Sequence, residues 1–233
     1  QDDRLVIMYT RTEPSVDEDG YYNNYRDYTN ALVYDISDRT NPVKVGNISQ
    51  SGYYNTMRVR DGYVYVISNF YADAAASRAD TAAYIPEVQG RGMPAADIYM
   101  PQRQMGDQYT VITSFSLEDP SEKTDSKAVF GSSGMCYVST ENIYVTEGWY
   151  GQDDAEVTQT SIRKVAYKDG ILQGEAQAKV DGTLNDSFSI DEYNGYLRLV
   201  TTVSPVSSGG IGIARFFSGD TEERQQEDSN SLY

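Results

Sequence analysis

The chain has 233 residues, with 19 basic and 35 acidic side chains, no histidine, one cysteine and 21 tyrosines. Without histidine there is no Ser-His-Asp triad, no Cys-His pair and no His-ligated zinc, and one cysteine permits no internal disulfide. A net charge of −16 repels phosphate backbones, so no nucleic-acid partner is expected.

In chain order, the first predicted strand covers residues 3–9, a β-rich run behind an acidic turn. Residues 31–38 and 43–46 follow as second and third strands. The pattern then restarts one strand earlier, with residues 54–59, 61–67, 111–119 and 127–131. It repeats as 135–139, 141–146, 162–169 and 175–180, and begins again as 187–191, 194–200 and 230–233. Each run carries β-branched and aromatic residues at strand spacing between Asp, Asn or Gly turns. Four short antiparallel strands per repeat form the blade of a β-propeller. With strands labelled a to d, the second strands (b) start at Leu5, Val64, Ile143 and Leu197, spaced 59, 79 and 54 residues apart.

The predicted fold class is therefore all-β, a β-propeller of four-stranded antiparallel blades, here a partial propeller of about three and a half blades. The divisions are a blade remainder 1–52, a blade 53–134 with a long b–c insertion 69–108, a blade 135–182 and a partial blade 183–233. A β-sandwich is the competing architecture, and the fixed order of strand types favours the propeller. Residues 72–83 are Ala-rich and read equally as a short helix or an irregular loop. An arc that starts at strand b and stops inside strand c leaves sheet faces open, so further blades of a longer protein, or a second copy, are expected to complete the ring. No apolar run approaches the roughly 18 residues needed to span a bilayer.

These runs resemble the C-terminal secreted β-propeller domain of bacterial, mainly Gram-positive, surface proteins, a family of uncharacterised function. The strongest stretches are residues 109–120, 138–146 and 182–192; Asp35-Ile36-Ser37-Asp38 followed by Asn41-Pro42 resembles a strand c–d turn of bacterial surface propellers. The resemblance implies a secreted or cell-surface domain. It brings no established catalytic residues, so none is carried over.

The b–c connections, read as residues 11–28, 69–108, 149–159 and 203–228, hold 18 of the acids and 7 of the bases. In a propeller they emerge together with the d–a turns, so an acidic loop face is expected, and loops on a rigid scaffold are where function concentrates. Tyr21, Tyr22, Tyr25, Tyr28, Trp149 and Tyr150 are the binding candidates there. Tyr71, Tyr84 and Tyr99 lie in the same connections, and Tyr53 and Tyr54 on a d–a turn. Exposed rings among carboxylates suit a glycan or a protein surface; the structural alternative is that they pin the loops to one another. Asp17, Asp19, Asp153 and Asp154 are the metal candidates, with calcium the cation they would take and solvated charge the plain alternative. The calcium-loop pattern itself fails, since Ser15, Asp17 and Asp19 precede Gly20 but its twelfth position is Arg26. No cofactor is otherwise implied. Cys136, between Met135 and Tyr137, reads as a buried, inert thiol.

The expected function is a non-catalytic extracellular binding or scaffold domain, contacting protein or glycan at the cell surface. The rival is a calcium-assisted or carboxylate-based hydrolase of surface polysaccharide.

Overall fold

The computed structural model describes residues 3–16, 22–102, 104–131, 135–150, 156–206 and 228–233. They form four sheets. The first contains β1 (Arg4–Val16), β2 (Tyr22–Asp35) and β3 (Val43–Ser51), extended at its edge by β6 (Glu87–Val88) and β7 (Arg91–Gly92). The second runs β4 (Tyr53–Arg60), β5 (Tyr63–Tyr71), β9 (Gln108–Ser116), β10 (Asp125–Phe130) and β8 (Ile98–Tyr99). The third is β11 (Cys136–Val138), β12 (Asn142–Trp149), β13 (Gln159–Lys168) and β14 (Ile171–Asp181). The fourth is β15 (Ile190–Tyr193), β16 (Tyr196–Val203) and β17 (Ser229–Leu232). Neighbouring strands pair antiparallel, except that β8 lies parallel to β10. Consecutive antiparallel sheets packed face on face are the blades of a β-propeller, the expected fold.

Two-residue turns set the ladders. Asp61-Gly62, Asp169-Gly170 and Asn194-Gly195 all have positive φ at both positions. That is the type I′ turn, whose twist matches the flanking strands, and Asp-Gly and Asn-Gly tolerate it best. Longer turns are tied by acids: Asp38 accepts from the Thr40 amide and hydroxyl at 2.9 and 2.7 Å. Asp119 does the same for Ser121 in the next blade.

Period-two alternation divides each inner strand between two cores. On β5, Val64 and Val66 join Ala31, Val33 and Phe115 against the first sheet. Tyr65 and Ile67 turn the other way, onto Ile143, Val145, Val165 and Tyr167 of the third. On β12 the alternation repeats: Tyr144 leaves that core to pack with Ile162, Ile190 and Leu199 against the fourth sheet. Tyr65, Ile67, Ile143 and Val145 are wholly buried, and each contributes about 1.5–3 kcal/mol of burial. Tyr65 and Tyr167 meet edge to face at 4.6 Å, and both hydroxyls are engaged. Tyr65 accepts from the Gly170 amide at 2.9 Å, and Tyr167 donates to the Ser139 carbonyl at 2.6 Å.

Polar bolts cross the same junctions. Arg60 donates to the carbonyls of Thr140 and Tyr167 at 2.7 and 3.0 Å. Glu192, on the fourth sheet, accepts from the Ser139 hydroxyl at 2.5 Å and the Asn142 side chain at 2.9 Å on the third. Burial works against its charge, but the bonds from Ser139, Asn142 and Tyr144 outweigh it and hold the carboxyl below its usual range.

Three expectations change. Residues 11–28 are largely a continued hairpin: β1 and β2 pair from Arg4–Asp35 out to Val16–Tyr22. Cross-strand attraction holds it, with the Thr12 hydroxyl on Asp27 at 2.6 Å and Arg11 over the Tyr28 ring at 5.7 Å. The insertion is structured as well. Phe70, Val88 and Met93 pack with Tyr109, Val111 and Ala128 of the second sheet, and of its Ala-rich stretch only Thr81–Ala83 makes a 3₁₀ turn. The first strand of the fourth sheet begins at Ile190, because the Asp186 side chain accepts from the Phe188 amide and folds Ser187–Ser189 into a 3₁₀ turn.

Candidate functional site

The upper ends of β2, β4 and β5 converge with the start of the insertion. Gly52 makes that convergence: its amide donates to the Asp27 carbonyl at 2.7 Å. Its φ is +93°, and a Cβ there would sit 2.3 Å from the Asn69 carbonyl oxygen. Only glycine lets the chain enter β4 this close to β5.

Around it lies a recess of about 130 Å³ lined by Tyr25, Asp27, Tyr53, Asn69, Tyr71 and Asp80, among others. Tyr53 and Tyr71 stack with centroids 6.3 Å apart. Burial first, and the neighbouring Tyr53 second, raise the Tyr71 hydroxyl above its usual range. The Tyr53 hydroxyl accepts from the Asn69 amide at 3.2 Å. Each of the three carboxylates of the recess has a partner and keeps further acceptor sites. Asp27 takes the Thr12 hydroxyl, Asp73 accepts from the Ala75 amide at 2.9 Å, and Asp80 pairs with Arg26.

Of the predicted binding residues, Tyr25 stands in this recess and is 71% exposed. Tyr28 is half-buried beside it and donates weakly to Glu87 at 3.4 Å. Its hydroxyl is raised first by burial and then by Glu87. Tyr22 opens β2 opposite Val16, but its side chain, with all of Tyr21, lies outside the described residues. Tyr150 is exposed at the end of the third sheet. Trp149 presents no open ring: it is only 5% exposed, and the Lys179 ammonium sits 3.9 Å from its ring centroid. Neither Trp149 nor Tyr150 lines the recess. Asp17, Asp19, Asp153 and Asp154 also lie outside the described residues. Among the described residues no group of three or more acids and cysteine could hold a metal ion. Nor is any helix long and apolar enough to cross a membrane.

The sequence reading placed Tyr53 and Tyr71 on this face but did not pair them, and it missed Asn69 and the Arg26–Asp80 pair. Their signal is positional: Tyr53 follows the positive-φ Gly52, and Asn69 and Tyr71 end the buried strand β5.

A family model described as a beta propeller domain matches residues 1–233. The chain belongs to this β-propeller family. No curated protein matches its sequence. Propellers are often binding or scaffold folds, and a propeller's loop ends are where the rings and carboxylates of this recess are found.

Burial alone pushes the Cys136 thiol up to about 11, and its sulfur lies 3.7 Å from the Asn55 side-chain oxygen. At neutral pH it is protonated and a poor nucleophile.

Proposed function

We propose that this propeller is a non-catalytic binding domain of a bacterial surface protein, acting outside the cell, and that the Tyr25–Tyr53–Tyr71 recess receives a glycan residue. The stacked Tyr53–Tyr71 pair carries the reading. Ring faces beside amide and carboxylate acceptors match a sugar's apolar face and hydroxyl rim. The volume supports a single protruding group, since pockets for drug-sized ligands span roughly 300–1,000 Å³.

A screen of glycans and cell-wall polysaccharides should find a ligand whose affinity falls about tenfold, or 1.4 kcal/mol, in Tyr71→Ala and Tyr53→Ala. Full affinity in the double variant rejects the recess.

Further blades of the full-length protein are proposed as the second partner. The strands β5 and β12 bury both faces, whereas β1 leaves Leu5, Ile7 and Tyr9 at least 40% exposed. On the fourth sheet, Tyr196, Val200 and Leu232 are open in the same way. A thiol placed by Ile7→Cys should react freely in this chain and slowly when flanking blades are appended. Equal rates would reject that packing.

A further inference from the structure

The tyrosine recess is negative. Asp27, Asp73 and Asp80 line it against one cation, Arg26, which leaves a net charge of −2. The acids come from separate segments that the backbone holds in place. Asp27 lies on β2, where its carbonyl accepts the Gly52 amide at 2.7 Å. Asp73 and Asp80 stand on one loop after β5, which the Asp73 amide closes by donating to the Ala83 carbonyl at 2.8 Å. Arg26 forms its salt bridge with Asp80, and one guanidinium cannot offset three carboxylates.

Acids outside the lining deepen the field. After burial and Tyr53, Asp107 also raises the Tyr71 hydroxyl. After burial, Glu87 and then Glu13 raise that of Tyr28, against the opposing pull of Arg26. The side chains are nonetheless not arranged for a metal: among the described residues no three acids group as ligands. A hydrogen-bonding organic cation suits them better than a bare ion. Ring faces stand beside the charge. Tyr25 and Tyr71 are 71% and 58% exposed, and an ammonium within about 6 Å of a tyrosine ring is attracted to its face.

From this combination we infer that the recess selects an amino sugar whose amine is free and therefore carried as an ammonium. The inference rests on the glycan reading of the same recess and names the class of sugar. An ammonium brings three N–H donors to the remaining acceptor sites of Asp27, Asp73 and Asp80, as charge-assisted bonds. The apolar face of the sugar lies along the Tyr53–Tyr71 pair. N-acetylation removes the charge and two of the donors, and adds an acetyl group that a recess of about 130 Å³ has little room to take. The net charge of −16 draws a cationic glycan toward the chain before contact.

Calorimetric titration of this chain with a glucosamine trisaccharide and with its N-acetylated form, at low and high salt, tests the assignment. The free-amine sugar should bind about tenfold more tightly, the worth of one hydrogen bond between charged groups, and should lose that advantage as salt rises. Asp73→Asn keeps the oxygen that the Ala75 amide needs and should narrow the preference. Arg26→Gln removes the one cation of the lining and should widen it. Circular dichroism confirms that both variants fold. Equal binding of the two sugars, each weakened by Tyr71→Ala, overturns the inference and leaves the glycan reading standing. A preference for the free amine that survives Tyr53→Ala with Tyr71→Ala also overturns it, by moving the site elsewhere. No glycan bound at the recess overturns both. Capture of a lysine-bearing peptide without glucosamine binding overturns both as well, and reassigns the recess to a protein partner.

Discussion

Glu147 offers the sharpest test of the packing. Its side chain is 2% exposed and that of its partner Arg163 is 7% exposed. One carboxylate oxygen accepts from Arg163 at 2.7 Å, the other from the Met105 amide at 2.6 Å. The same group therefore neutralises a buried cation and pins the insertion to the third sheet. Glu147→Gln keeps the shape but presents an NH2 group to one of these two donors. One donor is orphaned and the guanidinium loses its counter-charge. Breaking a buried pair from one side costs roughly 3–5 kcal/mol, several times the 0–1 kcal/mol of an exposed pair. Urea denaturation followed by circular dichroism measures the loss as a fall in midpoint at unchanged slope. Hydrogen exchange at the Met105 amide should speed up in parallel. The double variant Glu147→Met with Arg163→Met removes both charges and should recover most of the loss. A Glu147→Gln cost below about 1 kcal/mol would refute the account of a desolvated clamp.

Three further outcomes are expected. Glu192, whose folded carboxyl is held below its ordinary value of 4.5, contributes stability that is present above that value and lost as pH falls through the folded one. The stability gap between wild type and Glu192→Gln should be widest near pH 7 and close below pH 4.5; a gap that ignores pH would contradict the carboxylate's role. Gly52→Ala should destabilise the fold by at least about 2 kcal/mol in thermal melts, because the added methyl meets the Asn69 carbonyl at a backbone angle that alanine resists. Cys136 should alkylate much more slowly at pH 8 than a free thiol until the chain is unfolded, given a folded value of about 11; fast labelling of native protein would place it elsewhere.

The blades were legible because their turns and periodicity are local. Asp61-Gly62 and Asn194-Gly195 announce hairpins, and the alternation of residues 63–67 announces a strand with two buried sides. The hairpin of residues 11–28 was hidden because both its faces are polar, so no period-two signal marks it; its cross-strand contacts, Thr12 to Asp27 and Arg11 over Tyr28, are ones that only register reveals. The two-residue strands β6, β7 and β8 are too short for any propensity to register. Trp149 was misplaced for a different reason. Its neighbours Tyr150 and Gly151 read as loop, while its parity with Ile143, Val145 and Glu147 puts it on an interior face. The same parity, with Arg163 two residues before Val165, could have flagged the buried ion pair. Two opposite charges on inward positions of adjacent strands are expected to meet.

The insertion belongs to two blades at once. β6 and β7 lengthen the first sheet, while β8 lengthens the second. Gln89 reinforces the tie by bonding to Ser121 and Lys123 of the second blade's outer turn. In evolutionary terms this makes the two blades a linked pair of genes' worth of fold. Recombination that copied or swapped the second blade alone would carry off its neighbour's outer edge, stranding β3. Blade shuffling, the easy route by which repeat proteins grow and diversify, is therefore hindered at this junction.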